Sequence, residues 1–114
     1  MKIERSFCNT ERYHFDFGPC SLKNGFAQID TGSDAWYFGN WANPKTLEIV
    51  SYAEGDITRT ICDTEEEFIA ELEKMQRFHL KNDEKFGIDT LLNDDLKLAF
   101  INIGAAKFLW GYKE

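Results

Sequence analysis

The sequence predicts an α+β fold, an antiparallel meander of about five strands with C-terminal helices packed on one face in two layers. Two observations carry this expectation. Four turn signals recur at nearly even spacing: Asn24-Gly25, Gly32-Ser33, Asn43-Pro44 and Gly55-Asp56. Each lies between segments rich in aromatic and β-branched residues, and turns every ~8–12 residues mark consecutive strands. The pattern then changes at Asp63-Thr64-Glu65-Glu66-Glu67, which opens a long helical stretch. The 114 residues fit one domain over 1–114, with the meander at about 11–62, a long helix at 63–82 and C-terminal helices at 93–110.

The elements follow in order. Tyr13, Phe15 and Phe17 alternate with His14 and Asp16, which predicts a strand, and Gly18-Pro19 interrupts it. Asn24-Gly25 is a hairpin signal, because both residues tolerate positive φ. Strands are expected at Phe26–Asp30, Ala35–Trp41, Thr46–Tyr52 and Asp56–Cys62, with Asn43-Pro44 and Ala53-Glu54-Gly55 turning the chain between them. Thr64 with Glu67, or Asp63 with Glu66, forms a capping box for the long helix. Phe68, Leu72, Met75 and His79 share one stripe of that helix, and Lys74, Arg77 and Lys81 lie opposite. Asp83–Leu92 reads as a connection hinged at Gly87. Asn93 or Asp94 caps a second helix through about Ile103, Gly104 breaks it, and a short helical turn covers Ala105–Trp110.

Composition narrows the function classes. Ten Phe, four Tyr and three Trp argue for a folded chain rather than a disordered one. A net charge of −7 disfavours nucleic acid and anionic membranes, both of which want Lys and Arg. Six acids fall within Asp63–Glu73, forming either a solvated helix face or a surface for a basic partner. Cys8, Cys20 and Cys62 form no C-x-x-C pair and fit reduced thiols, and no secretory signal or membrane span is visible. A cytoplasmic location is expected.

No catalytic, metal or cofactor signature stands out. His14 and Asp16 share a strand face near Asp30 or Asp34, but the spacing matches no calcium loop. Cys20 could act as a nucleophile only with a base such as His14 or His79 in reach, and a half-buried thiol is the simpler reading. His79 lies in an apolar stripe near a helix end, where a satisfied boundary histidine is usual. Neither G-x-G-x-x-G nor a phosphate-binding loop appears.

Two surfaces exceed background. Tyr37, Trp41 and Tyr52 are expected on the face opposite the helices, alongside Asp16, Asp30 and Glu48. Aromatics bordered by acids suit protein binding, unless the N-terminal segment or a loop covers them. The C-terminal helix is apolar all round, with Leu98 and Ile101 opposite Leu96, Phe100 and Ile103, and Phe108, Leu109 and Trp110 crowding the end. Leu98, Ile101, Phe108, Leu109 and Trp110 are therefore expected at a homodimer contact, the alternative being a tail folded back under the first helix.

The stretches Phe15-Asp16-Phe17-Gly18, Trp36-Tyr37-Phe38-Gly39-Asn40-Trp41-Ala42-Asn43-Pro44 and Glu54-Gly55-Asp56 resemble small accessory proteins of bacterial plasmids and phages. That resemblance implies an acidic protein that binds and modulates another protein, and it carries over no site residues. The expected function is a non-enzymatic protein-binding module whose partner has a basic surface, of inhibitor, immunity or anti-defence type. The rivals are a DNA mimic of antirestriction type and a small enzyme or ligand binder using His14, Asp16 or Cys20.

Overall fold

The protein is described by a computed structural model covering residues 1–7, 24–32, 38–90 and 93–110. Six strands form one sheet: β1 (Lys2–Phe7), β2 (Ala27–Asp30), β3 (Phe38–Asn43), β4 (Glu48–Ala53), β5 (Asp56–Ile61) and β6 (Gly87–Asp89). Among the described residues two α-helices follow the meander, α1 (Glu65–Lys81) and α2 (Asp94–Asn102), and a 3-10 turn spans Ala106–Phe108. The strand order is β1-β5-β4-β3-β2-β6, with every neighbouring pair antiparallel. The expected α+β meander with helices is therefore present, extended by one strand at each edge.

Local chemistry fixes the turns. Glu54 and Gly55 both adopt positive φ, as the two central residues of a type I′ hairpin must, so Ala53 pairs with Asp56 across a two-residue loop. At the other end of β4, the Asn43 side chain accepts hydrogen bonds from the amides of Lys45 (3.0 Å) and Thr46 (3.2 Å). This Asx turn brings Glu48 back opposite Asn43.

Both helices are capped as the sequence proposes. Thr64 Oγ1 accepts from the Glu67 amide at 3.1 Å, and the Glu67 carboxylate accepts in return from the amide of Asp63, one residue before the cap. Asn93 caps α2 by accepting from the Leu96 amide. Both C-termini close in Schellman turns. The amides of Gly104 and Ala105 donate to Ile101 and Phe100 after α2, and those of Asp83 and Glu84 donate to Leu80 and His79 after α1. Asp83 takes the left-handed position there at φ 59°, a place glycine fills more often.

The core lies on both sheet faces. Ala27, Ile29, Ala42 and Ile49 meet Phe68 and Leu72 of α1, Leu96 and Phe100 of α2, and Phe108. On the opposite face Phe26, Trp41, Val50, Tyr52 and Ile57 form a second buried cluster.

Three expectations need correction. Asp83–Leu92 is more than a connection, because Gly87–Asp89 pairs with Asp30–Gln28 as an edge strand. The meander does not begin the sheet, since Lys2–Phe7 pairs with β5 along its whole length. The C-terminal turn is folded back into the chain's own core, with Phe108 1% and Leu109 7% exposed. The expected strand at Tyr13–Phe17 lies outside the described residues.

Gly87 shows how tightly the tail is seated. The Trp110 ring lies against its backbone so closely that a Cβ would sit 1.9 Å from a ring carbon. Gly87→Ala should therefore cost about 1–3 kcal/mol through displacement of Trp110, read as a lower urea midpoint and a shifted tryptophan emission. Thr64→Ala should cost about 1 kcal/mol by orphaning the Glu67 amide at the start of α1, measured in the same denaturation series.

Candidate binding groove

On the helix-covered face, the side chains of β4 shrink from Ile49 to Ser51 and Ala53, while α1 continues above them. The space left between the C-terminal half of α1 and strands β3 and β4 is an open groove of about 660 Å³. Phe38 and Phe78 stand on it, 43% and 62% exposed. Asn40 and Ser51 face each other across the strand pair and line it, and the Ser51 hydroxyl donates to Asn40 Oδ1 at 2.7 Å. Glu71, Lys74, Met75 and His79 come from successive turns of α1.

The far end is built by the Schellman turn. The bond from the Glu84 amide to the His79 carbonyl folds the chain back, so the Glu84 carboxylate lies 3.5 Å from His79 Nδ1. The imidazole is mostly buried, stacked near Phe86 at 6.2 Å and edge-on to Phe78 at 5.2 Å. Its Nδ1 has no hydrogen-bond partner among the described residues. The contact with Glu84 is an ion pair when the imidazole is protonated.

The Ser51 hydroxyl is bonded to an amide rather than a base, so nothing described activates it. Cys62 is buried, and burial followed by the nearby Glu67 and Glu71 carboxylates pushes its thiol up to about 11. A thiol held protonated at neutral pH is a poor nucleophile. Among the described residues, no group of three or more His, Cys, Asp and Glu side chains converges as metal ligands would.

The residues singled out from sequence fall into three groups. Asp30, Trp41, Glu48 and Tyr52 do share the face away from the helices, as the strand pairing shows. That face is not open at the aromatics, however. Trp41 is 0% and Tyr52 8% exposed. The Trp41 ring lies back along its own strand over Gly39, where a Cβ would meet it at 2.4 Å. Glu48 is also buried and pairs with Arg59 at 2.5 Å, while Asp30 accepts from the Gly32 amide. Of the expected dimer residues, Phe108 and Leu109 are internal, Ile101 is partly buried against the main core, and Leu98 (53%) and Trp110 (55%) are exposed. Asp16 and Tyr37, with His14 and Cys20, lie outside the described residues.

Sequence reasoning missed Phe38, Phe78, Asn40 and Ser51 as a set. One signal was available. Phe78 falls off the apolar stripe of α1, and a large aromatic on the polar side of an amphipathic helix asks for a partner.

In comparison with known proteins, the chain matches no family model, no curated protein and no solved structure. No helix among the described residues is long and apolar enough to cross a membrane.

The raised thiol pKa gives a prediction with a defined sign. Between the ordinary value of 9.0 and about 11, the folded chain keeps the Cys62 proton that the unfolded chain loses. Stability should therefore fall as pH rises through this window, and Cys62→Ala should flatten that slope. Peptide mapping after brief alkylation at pH 8 should find Cys62 unmodified in the native protein and fully modified in denaturant.

Proposed function

We propose that the protein is a non-enzymatic protein-binding module whose partner inserts a side chain or short segment between α1 and strands β3 and β4. The observation that carries this reading is the pair of exposed aromatics, Phe38 and Phe78, standing on a groove with a hydrogen-bonding floor. Apolar anchors around a few fixed polar groups are the composition of a binding hot spot. The sequence-based choice of Trp41 and Tyr52 as anchors gives way, since buried rings cannot reach a partner.

Charge favours a basic segment as the occupant. The groove takes Glu71 and Glu84 against Lys74, on a chain of net charge −7. Opposite charge speeds encounter and suppresses wrong partners more than it adds affinity. An inhibitor, immunity or anti-defence role, as the resemblance to plasmid and phage accessory proteins implies, would use such a site. A DNA mimic is less favoured, because Glu73 on the acidic helix already binds Lys107 and its charge is partly neutralised.

A second reading rests on size. About 660 Å³ lies within the ~300–1,000 Å³ typical of small-molecule sites. The groove could therefore hold an amphipathic ligand instead of a peptide.

Parallel affinity captures from cell lysate with the wild type and Phe78→Asp test the proposal. Proteins retained by the wild type should be lost on the variant, with affinity reduced by roughly 30-fold or more for a hot-spot aromatic, while the circular dichroism spectrum stays unchanged. Retention of the same proteins by both would place the binding surface elsewhere. A small molecule released from native wild-type protein, and absent from the variant, would favour the ligand reading.

A further inference from the structure

The two edges of the sheet are finished differently. At β6, Ile88 forms a parallel bridge with Leu109, its carbonyl accepts from the Trp110 amide at 2.9 Å, and the Trp110 ring lies on Gly87. Residues 109–110 thus cover that edge. At the other end β1 pairs with β5, and no other described strand pairs with it. The side chains of Lys2 to Ser6 are all exposed, including Ile3 at 49%. An edge with no strand partner among the described residues is a row of amides and carbonyls that can template one more strand.

We infer that the occupant of this edge is the β1 strand of a second copy, paired antiparallel about a twofold axis through Ile3. This goes beyond the groove reading and does not rest on it. Directly opposed residues in an antiparallel pair share a sheet face, so a twofold axis between identical strands must pass through a residue. An axis on Lys2, Glu4 or Arg5 would set like charges against each other, which destabilises the pair. An axis on Ser6 would pair Arg5 with Phe7 and match no charges. Only an axis on Ile3 pairs Lys2 with Glu4 of the second copy twice over, and brings the two exposed isoleucines together.

The charges are already disposed for it. Lys2 Nζ lies 3.5 Å from Glu4 Oε1 within one strand, on the face opposite Ile3. The second copy adds Glu4 beside Lys2 and Lys2 beside Glu4, giving an alternating square of four charges. On the other face the two Ile3 side chains shield each other. The contact is narrow, a few residues per copy, so the association is expected to be weak, in the regime of interfaces below ~1,000 Å².

Sedimentation velocity from micromolar to near-millimolar protein tests the inference. The wild type should pass from monomer to dimer with concentration, and amides of residues 2–6 should gain hydrogen-exchange protection in parallel. Ile3→Lys should remain monomeric throughout, with its fold checked by circular dichroism and unfolding midpoint. Lys2→Glu and Glu4→Lys should each weaken the dimer at least several-fold, and the double swap Lys2→Glu with Glu4→Lys should restore it. Phe78→Asp should leave the profile unchanged, which separates this interface from the groove. A wild type that stays monomeric at every concentration would overturn the inference. So would a dimer indifferent to Ile3→Lys, or a folded double swap that fails to recover.

Discussion

The seating of α1 across the sheet is the constraint on which the other features depend. Phe68 and Leu72, both fully buried, hold the helix against Ile49 and Ala42 on the two central strands. A helix of 17 residues is about 25 Å long. Four strand spacings from β5 to β6 amount to roughly 19 Å. The helix is therefore long enough to carry the chain from one side of the meander to the other, where β6 pairs with β2. The groove is a by-product of the same geometry. The strand side chains beneath the helix become smaller, and the gap opens where Ser51 and Ala53 follow Ile49.

The end of α1 then ties the groove to the rest of the core. Its Schellman turn returns Glu84 to His79, and the next residues lead through Phe86 into β6. Phe86 packs edge-on to Phe108 at 6.1 Å, so the wall of the groove is continuous with the folded-back C-terminal turn. Lys107 adds a second tie from that turn to Glu73 on α1, and this hydrogen bond holds the Glu73 carboxyl below its ordinary pKa. A displacement of α1 would be felt at both places, because close-packed interiors transmit strain.

Much of the fold was legible because its signals are local. Thr64, Asn93, Gly104 and the Glu54-Gly55 turn each impose a short-range geometry that few other arrangements satisfy. The features that escaped are set at long range. Lys2–Phe7 is half charged and has little β-branched character, so only its pairing with β5 makes it a strand. Gly87–Asp89 is three residues long and exists as a strand because β2 lies on one side and Leu109 and Trp110 on the other. For the site, alternation placed Trp41, Glu48 and Tyr52 on the correct face, but periodicity cannot say whether a face is covered. The groove arises from Phe38, Asn40, Ser51 and Phe78, four residues on three elements, and no sequence spacing links them.

The difference between the two sheet edges also sets how far edge-to-edge association can run. A sheet open on both sides can add copies without end, as fibrils do. Here Leu109 and Trp110 occupy one side, so among the described residues only the β1 edge is left to accept a strand. Two molecules joined through β1, as proposed, would use both such edges and leave the bordered β6 sides outward. The tail that looked from sequence like a surplus of apolar residues thus borders one edge, and strand addition through β1 would close at two copies rather than polymerise.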